Sequence, residues 1–382
     1  MNLSSLRLLT IMIIIEQNFA FSPEPWLSYE PYGCENGDDN GKRCGNEVCK
    51  RNEHCDMHFK PRNAPGPDYG CYPCGMISGR PFVVNGSARL PKTVARESWS
   101  AKIKAEQIKM PSGVLEHDTR MKIGLHWVGV GSAEWASVAS FSKHSLELLA
   151  LGAPAHLLTK VHTAAIDEVR HAELTYALAS SYLGVNVGPD KLDNSVASST
   201  LMIQRTLAEV TVATAREGCV TETMSAVEAR LALAVCAAPE VCQALAVISE
   251  DEKRHAALAW REVDWALQLD ASIAPLVKIE FERQIASLST TTESVDEISE
   301  PFDEITVAHG LLSHRFRTLA RTLTVRDVLR PALAALLAGP VGTAEWIEDL
   351  LDVAFSSAAF WGGERMALSS GEAARALNGT CA

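Results

Sequence analysis

The feature that most constrains the fold of this chain is a six-residue segment that occurs twice. Asp-Glu-Val-Arg-His-Ala at 167–172 recurs as Asp-Glu-Lys-Arg-His-Ala at 251–256. In both copies the glutamate and the histidine are three residues apart, so on an α-helix they lie on one face and can bind the same metal ion. A single Glu-x-x-His pair is common on solvated helix faces. Two copies in one chain predict two helices that serve a common metal site.

Each copy of the repeat also has a glutamate on the preceding predicted helix. Glu134 lies 34 residues before Glu168, and Glu217 lies 35 residues before Glu252. Steps of seven residues from Glu134 or Glu217 meet apolar side chains, which predicts that both glutamates face the interior between helices. Glu222 is the alternative ligand, because its own seven-residue column consists mostly of small residues that suit a close helix contact.

These residues form a complete ligand set for two metal ions. Carboxylates suit iron and can bridge two ions, and each neutral imidazole can bind one of them. Four unpaired glutamates would be prohibitively costly to bury without metal. We therefore expect two iron ions, with manganese as the alternative metal. The residues predicted to hold them, and to be catalytic, are Glu134, Glu168, His171, Glu217, Glu252 and His255.

The helix pattern agrees with this site. Turn residues divide the middle of the chain into helices at about 132–151, 154–183, 199–236 and 239–268, with a long connection at 184–197. Two short turns around one long crossover are the connectivity of ferritin-like bundles. We expect an all-α fold with a ferritin-like four-helix bundle at 132–270 and a helical C-terminal extension at 271–382.

The N-terminal region predicts export. Residues 1–22 resemble a cleaved signal peptide, with a short apolar run followed by small residues. Six cysteines fall within a polar module at 30–75, which indicates a disulfide-rich unit, with a zinc site as the alternative. Residues 76–131 form a connector with a short strand and turn near Pro81–Gly86. Cys236 and Cys242 flank a predicted turn and could close a disulfide across it.

The net charge argues against a nucleic acid partner, and the hydropathy argues against a membrane-spanning segment. The formal net charge is −12, and no cluster of lysine and arginine is suited to follow a phosphate backbone, so we expect no nucleic acid partner. No apolar stretch is long enough to predict a membrane span.

The motif Asp-Glu-x-Arg-His resembles the one in carboxylate-bridged di-iron proteins of the ferritin-like superfamily, across about residues 132–268. Its form is most similar to that of multicomponent monooxygenases and soluble acyl-carrier-protein desaturases, which activate O2. The resemblance implies that Asp167 and Asp251 orient the ligand histidines, and that Arg170 and Arg254 pair with those carboxylates. Segments 81–83 and 217–223 also resemble exported ferritin-like proteins with Cys-rich N-termini.

This resemblance implies a di-iron oxidoreductase that uses O2 or peroxide to oxidise an unidentified small organic substrate, with an unidentified electron donor. The first alternative is a ferroxidase or a scavenger of peroxide or oxygen. The second is a non-enzymatic helical bundle that presents the Cys-rich module to a partner. The predicted location is the periplasm, the extracellular space or the secretory pathway.

Overall fold

The computed structural model describes residues 43–44, 47–48, 53–57, 69–73, 80, 82–84, 87–91, 93–96, 99, 115–192, 205–290, 304–338 and 345–369. The chain divides into two compact units, Met1–Met76 and Ile77–Ala382. This division falls at the end of the predicted Cys-rich module. The predicted signal peptide at 1–22 lies outside the described residues.

The first unit contains two short antiparallel strand pairs. Strand β1 (Arg43–Cys44) pairs with β2 (Glu47–Val48), and β3 (Glu53–Met57) pairs with β4 (Tyr69–Pro73). In the second pair, Cys55 lies directly opposite Cys71. Three other cysteines of the module, namely Cys34, Cys49 and Cys74, lie outside the described residues. The disulfide framework of this module therefore stays a prediction.

The second unit is built mainly from four long helices, of which the first two form a hairpin. Helix α1 is His117–Ala150 and α2 is Ala155–Leu183, and the two pack along each other. Pro154 precedes α2 in an extended conformation, and Gly184 ends it in the left-handed conformation (φ 71°) that glycine adopts without strain. Helix α1 begins at His117 rather than near residue 132, so the predicted connector at 76–131 already contains its first turns.

Helices α3 and α4 form the second hairpin. Helix α3 comprises Leu207–Ala213, a π-helical segment Thr214–Glu222, and Thr223–Val235. It begins with a capping box in which Thr206 and Glu209 satisfy each other's free backbone N–H groups. Helix α4 is Pro239–Leu269 and packs along α3 and also against α2. This packing brings both copies of the sequence repeat together.

Short strands accompany the long helices. Strand β5 (Val83–Val84) pairs with β6 (Ser87–Ala88), where the sequence predicted a strand and turn. Strand β7 (Thr93–Ala95) pairs with β8 (Val187–Pro189), which lies in the long connection between α2 and α3. The connection thus returns to the segment that precedes α1.

The C-terminal part adds further helices. A 3₁₀ turn (Ala271–Ile273) leads into α5 (Ala274–Thr290), followed by α6 (Glu304–Ala308). Helix α7 comprises His314–Leu323, a π-helical segment Thr324–Leu329, and Arg330–Ala338. Helix α8 (Glu345–Ser369) packs on α3 and α7. The described chain is therefore mostly helical, as predicted, but it has more helices than a four-helix bundle.

The turn between α3 and α4 is covalently closed. A disulfide joins Cys236 to Cys242, and the backbone N–H groups of Ala237 and Ala238 both donate to the carbonyl of Ala308. This disulfide is consistent with the predicted export, which it does not prove. Within the described ranges, none of the helices combines the length and the apolar character needed to cross a membrane.

Candidate metal centre

Six acidic and histidine side chains from the four long helices converge in the interior of the second unit. They form two groups in which the candidate ligand atoms all lie within 4.8 Å of one another. The first group is Glu134, Glu168, His171 and Glu252, and the second is Glu168, Glu222, Glu252 and His255. Each of the six residues is 3% exposed or less. Because Glu168 and Glu252 belong to both groups, the arrangement is a pair of half-sites with two shared carboxylates.

The two histidines point the same ring nitrogen at these carboxylates. His171 Nδ1 lies 3.8 Å from Glu134, 3.6 Å from Glu168 and 3.4 Å from Glu252. His255 Nδ1 lies 3.2 Å from Glu168 and 3.9 Å from Glu252. The three-residue spacing within each repeat thus places glutamate and histidine on one helix face, as the sequence predicted.

The other ring nitrogen of each histidine contacts an aspartate from the opposite copy of the repeat. His171 Nε2 lies 3.0 Å from Asp251 Oδ2, and His255 Nε2 lies 3.4 Å from Asp167 Oδ2. A carboxylate only accepts, so Nε2 carries the proton, and in a neutral imidazole Nδ1 then presents a lone pair to the glutamates. A lone pair that faces carboxylate oxygens is repulsive unless a cation lies between them.

Arg254 supports both aspartates, whereas its counterpart in the first repeat does not occupy an equivalent position. The Arg254 guanidinium contacts Asp251 and lies 3.2 Å from Asp167. Arg170 is exposed on α2. Of the two arginines predicted to pair with the aspartates, the structure therefore places Arg254 beside them both.

The polar atoms of the cluster are buried without satisfying each other. Both carboxylate oxygens of Glu134, Glu168, Glu222 and Glu252, and Nδ1 of both histidines, have no hydrogen-bond partner among the described residues. Leaving one buried polar group unsatisfied costs about 1–3 kcal/mol, and more for a charged group. Ten such atoms in one place fit a cluster that holds metal ions, because a cation satisfies carboxylate oxygens and imidazole lone pairs together.

The pKa values of the metal-free cluster also reflect the cost of burying its charged groups. Burial and the neighbouring Glu168 raise the pKa of Glu134 well above its usual value, and burial with Glu252 and Glu168 does the same for Glu222. Burial lowers the pKa of His255, but Asp167 and Glu168 outweigh it and raise the pKa to about 9. Without a cation, the cluster therefore retains protons at neutral pH.

Glu217, predicted as the fourth glutamate, lies outside the cluster, and the alternative, Glu222, occupies that position. The Glu217 side chain is 27% exposed and pairs with Arg216 at 3.0 Å. Steps of seven residues assume two helical turns of 3.5 residues each, but Thr214–Glu222 is π-helical and has more residues per turn. Positions within this segment are rotated away from the expected column, so the prediction of Glu217 is corrected to Glu222.

A glycine accommodates α4 at this segment. A Cβ atom added to Gly218 would lie 2.5 Å from Cβ of Ala259, closer than real contacts allow. The close approach of α3 to α4 at Gly218 therefore lies within the π-helical segment, which ends at Glu222. Single π-helical turns within α-helices are frequent at functional sites.

The same unit also buries a cation and a tyrosine that the repeat does not predict. Arg80 is buried, and its guanidinium carbon lies 5.5 Å from the centre of the Phe141 ring. No periodic pattern links Arg80 to the repeat, because it precedes α1. Tyr176 is fully buried, and its hydroxyl lies 2.9 Å from Ser132 Oγ and 3.3 Å from Thr93 Oγ1.

A second buried polar group lies away from the cluster. His144 Nε2 lies 2.8 Å from Glu262, while its Nδ1 lies 3.6 Å from Glu147, which in turn accepts a hydrogen bond from Arg205 at 2.9 Å. Burial opposes ionisation of Glu147, but His144 and Arg205 together lower its pKa to about 2. The acidic and basic side chains of this group pair with one another, so the group is an internal ion-pair network.

Comparison with known proteins finds no match, whether the chain is set against protein-family models, curated proteins or solved structures.

Proposed function

We propose that the cluster is a two-metal centre in which Glu168 and Glu252 are shared by both ions. The first ion would also be bound by Glu134 and His171, and the second by Glu222 and His255. The observation that carries this proposal is that the two groups of ligand atoms overlap in two carboxylates, while ten of their buried atoms lack hydrogen-bond partners among the described residues.

The four helices that supply these residues support a ferritin-like arrangement as part of the same proposal. Each of α1 and α3 contributes one glutamate, and each of α2 and α4 contributes Glu-x-x-His. This is the ligand pattern of helical di-metal carboxylate sites. On this proposal, α5 to α8 are additions that pack around a ferritin-like core.

The donor set favours iron or manganese over softer metals, because it consists of carboxylates and imidazoles without thiolate. Four carboxylates also offset the charge of two divalent ions. Cys219, the free cysteine among the described residues, is buried, and burial raises the pKa of its thiol well above the usual value. It is therefore a neutral thiol and a poor ligand.

We propose further that the centre is a di-iron oxidoreductase that uses O2 to oxidise a small organic substrate. Bound ferrous iron would supply the electrons that reduce O2. The protein would hold the proton on Nε2 of His171 through Asp251, and that of His255 through Asp167, which raises the basicity of each Nδ1. Burial of the six ligands on four helices would exclude bulk water from the reacting atoms.

A ferrous titration without oxygen, followed by exposure to O2, tests this proposal. Elemental analysis of the loaded protein should find two metal ions per chain. Consumption of O2 that is coupled to loss of an organic substrate would support the oxidoreductase. Iron oxidation without such a substrate would indicate the ferroxidase alternative. No uptake of iron or manganese would show that the metal centre is wrong.

A further inference from the structure

Arg80 is a buried cation held beside the Glu222–His255 half of the cluster. It is 3% exposed, and its backbone N–H donates to Ser137 Oγ on α1 at 3.1 Å. Its guanidinium carbon lies 5.5 Å from the centre of the Phe141 ring, and this ring lies 5.3 Å from the ring of His255. The backbone anchor and the aromatic contact fix the charge next to this half-site.

The charge of Arg80 is felt by the π-helical segment of α3. Burial raises the pKa values of Cys219 and Glu222, and Arg80 acts on both in the opposite direction. Arg80 also helps to keep the pKa of Glu217 low, together with Arg216, although burial opposes this. Arg80 thus adds positive charge to the environment of the segment that contributes Glu222.

Arg80 is buried without an ion-pair partner among the described residues. Its Nε also has no hydrogen-bond partner among them. The two carboxylates on which the charge of Arg80 acts have other roles, because Glu222 belongs to the cluster and Glu217 pairs with Arg216. Burying a charge without a partner is costly, so a buried, unpaired guanidinium points to an anion that comes from outside the chain.

We propose that Arg80 binds the carboxylate of a small acidic substrate and so holds it beside the Glu222–His255 half-site. This inference rests on the proposed metal centre and names the substrate class for it. The planar guanidinium matches a carboxylate through two parallel hydrogen bonds, which gives both affinity and orientation. Phe141, whose ring is near both Arg80 and His255, would supply an apolar contact for the rest of the molecule.

Acetate and its neutral isostere acetamide are suitable probes, used with full-length protein that carries two manganese or ferrous ions without oxygen. Calorimetry should show that acetate binds at least about tenfold more tightly than acetamide, since a hydrogen bond to a charged group adds this much. In Arg80→Gln at equal metal content, acetate should bind about tenfold more weakly. Arg216→Gln is the matched control and should retain acetate affinity, because Arg216 is paired with Glu217.

The outcomes separate this inference from the proposed function. Equal acetate affinity in wild type and Arg80→Gln, with two metal ions in both, would overturn the inference and leave the metal centre standing. Failure of the wild type to take up metal would overturn both. If Arg80→Gln does not fold, Arg80→Lys at equal metal content decides, because an ammonium group cannot form the two parallel hydrogen bonds, and unchanged acetate affinity would overturn the inference. If Arg80 is only structural, Arg80→Gln should lower the thermal stability but leave the ratio of acetate to acetamide affinity as it is in the wild type.

Discussion

Asp251 on α4 accepts a hydrogen bond from Nε2 of His171 on α2, at 3.0 Å. The reciprocal contact, from His255 on α4 to Asp167 on α2, is longer at 3.4 Å. Each aspartate therefore supports the histidine of the other repeat and not that of its own. The two copies are interdependent, and a change in one outer carboxylate should be felt at the half-site of the other.

Replacing Asp251 by Asn should weaken metal binding at the His171 half-site. The side chain keeps its size but loses the negative charge that makes Nδ1 of His171 a stronger donor, and losses of this kind cost about 10–100-fold in affinity or activity. Asp167→Asn should cost less, because its contact is longer and its side chain is 15% exposed against 7% for Asp251. Metal titrations of both variants measure the difference.

The rate of ferrous oxidation by O2 should also fall in Asp251→Asn when it is compared with wild type at equal iron content. A centre that only stores iron needs binding and release, whereas one that uses O2 on a substrate depends on the basicity of its ligands. Equal oxidation rates in the two proteins would remove the main reason to prefer the oxidoreductase over the ferroxidase.

Glu222→Gln should lower the metal content to about one ion per chain, whereas Glu217→Gln should leave it at about two. The two substitutions remove the same charge from the same helix, so each is the control for the other. Glu222 lies within the second half-site, and Glu217 pairs with Arg216 outside it. The reverse result, with loss only in Glu217→Gln, would restore the ligand that the heptad pattern first suggested.

Local periodicity predicted most of the site, because most of it lies on regular helix. Glu168 with His171, and Glu252 with His255, needed only the three-residue spacing, and the seven-residue column of Glu134 lies on unbroken α-helix. The seven-residue pattern wrongly placed Glu217 in the cluster, because a π-helical segment changes the number of residues per turn. Nothing in a seven-residue pattern indicates such a segment.

Contacts between distant parts of the chain could not be predicted from local periodicity. Arg80 lies on a segment before α1, and its position depends on contacts with Ser137 and Phe141 rather than on a local pattern. The start of α1 was also predicted too late, near residue 132 instead of His117. In the structure, Gly124 and Gly131 face α2 closely, and a Cβ atom at either would clash with side chains of that helix.

Reduction of the Cys236–Cys242 disulfide should destabilise the protein without removing metal. The loop that it closes is short, with a sequence separation of 6, so the expected loss is about 2 kcal/mol in the free energy of unfolding. The turn keeps its backbone hydrogen bonds to Ala308, which limits local rearrangement. Thermal unfolding and elemental analysis of Cys236→Ser/Cys242→Ser measure both quantities. Loss of metal in this variant would show that the turn positions the ligands of α3 and α4.

Metal uptake should release protons, with an apparent affinity that rises with pH. In the metal-free protein, burial and neighbouring carboxylates raise the pKa of Glu134 and Glu222, and carboxylate contacts outweigh burial to raise the pKa of His171. The pKa of His255 is raised to about 9. These groups hold protons near pH 7 that a cation must displace, so about two protons or more should leave as the site fills. Calorimetry in buffers of different ionisation enthalpy counts them.

The thermal stability of the protein should also depend on pH, and the direction of this dependence should differ between the metal-free and the metal-loaded protein. A histidine with a raised pKa stabilises the metal-free fold fully below about pH 6.5, and this contribution is lost as the pH rises through about 9 for His255. Chelator-treated protein should therefore lose thermal stability between pH 7 and pH 9. Metal-loaded protein should gain stability over the same interval, because fewer protons compete with the cation. Glu217→Gln should show the wild-type proton count, because Arg216 and Arg80 hold the pKa of Glu217 low despite its burial. Parallel pH profiles with and without metal would contradict the assignment of these residues as ligands.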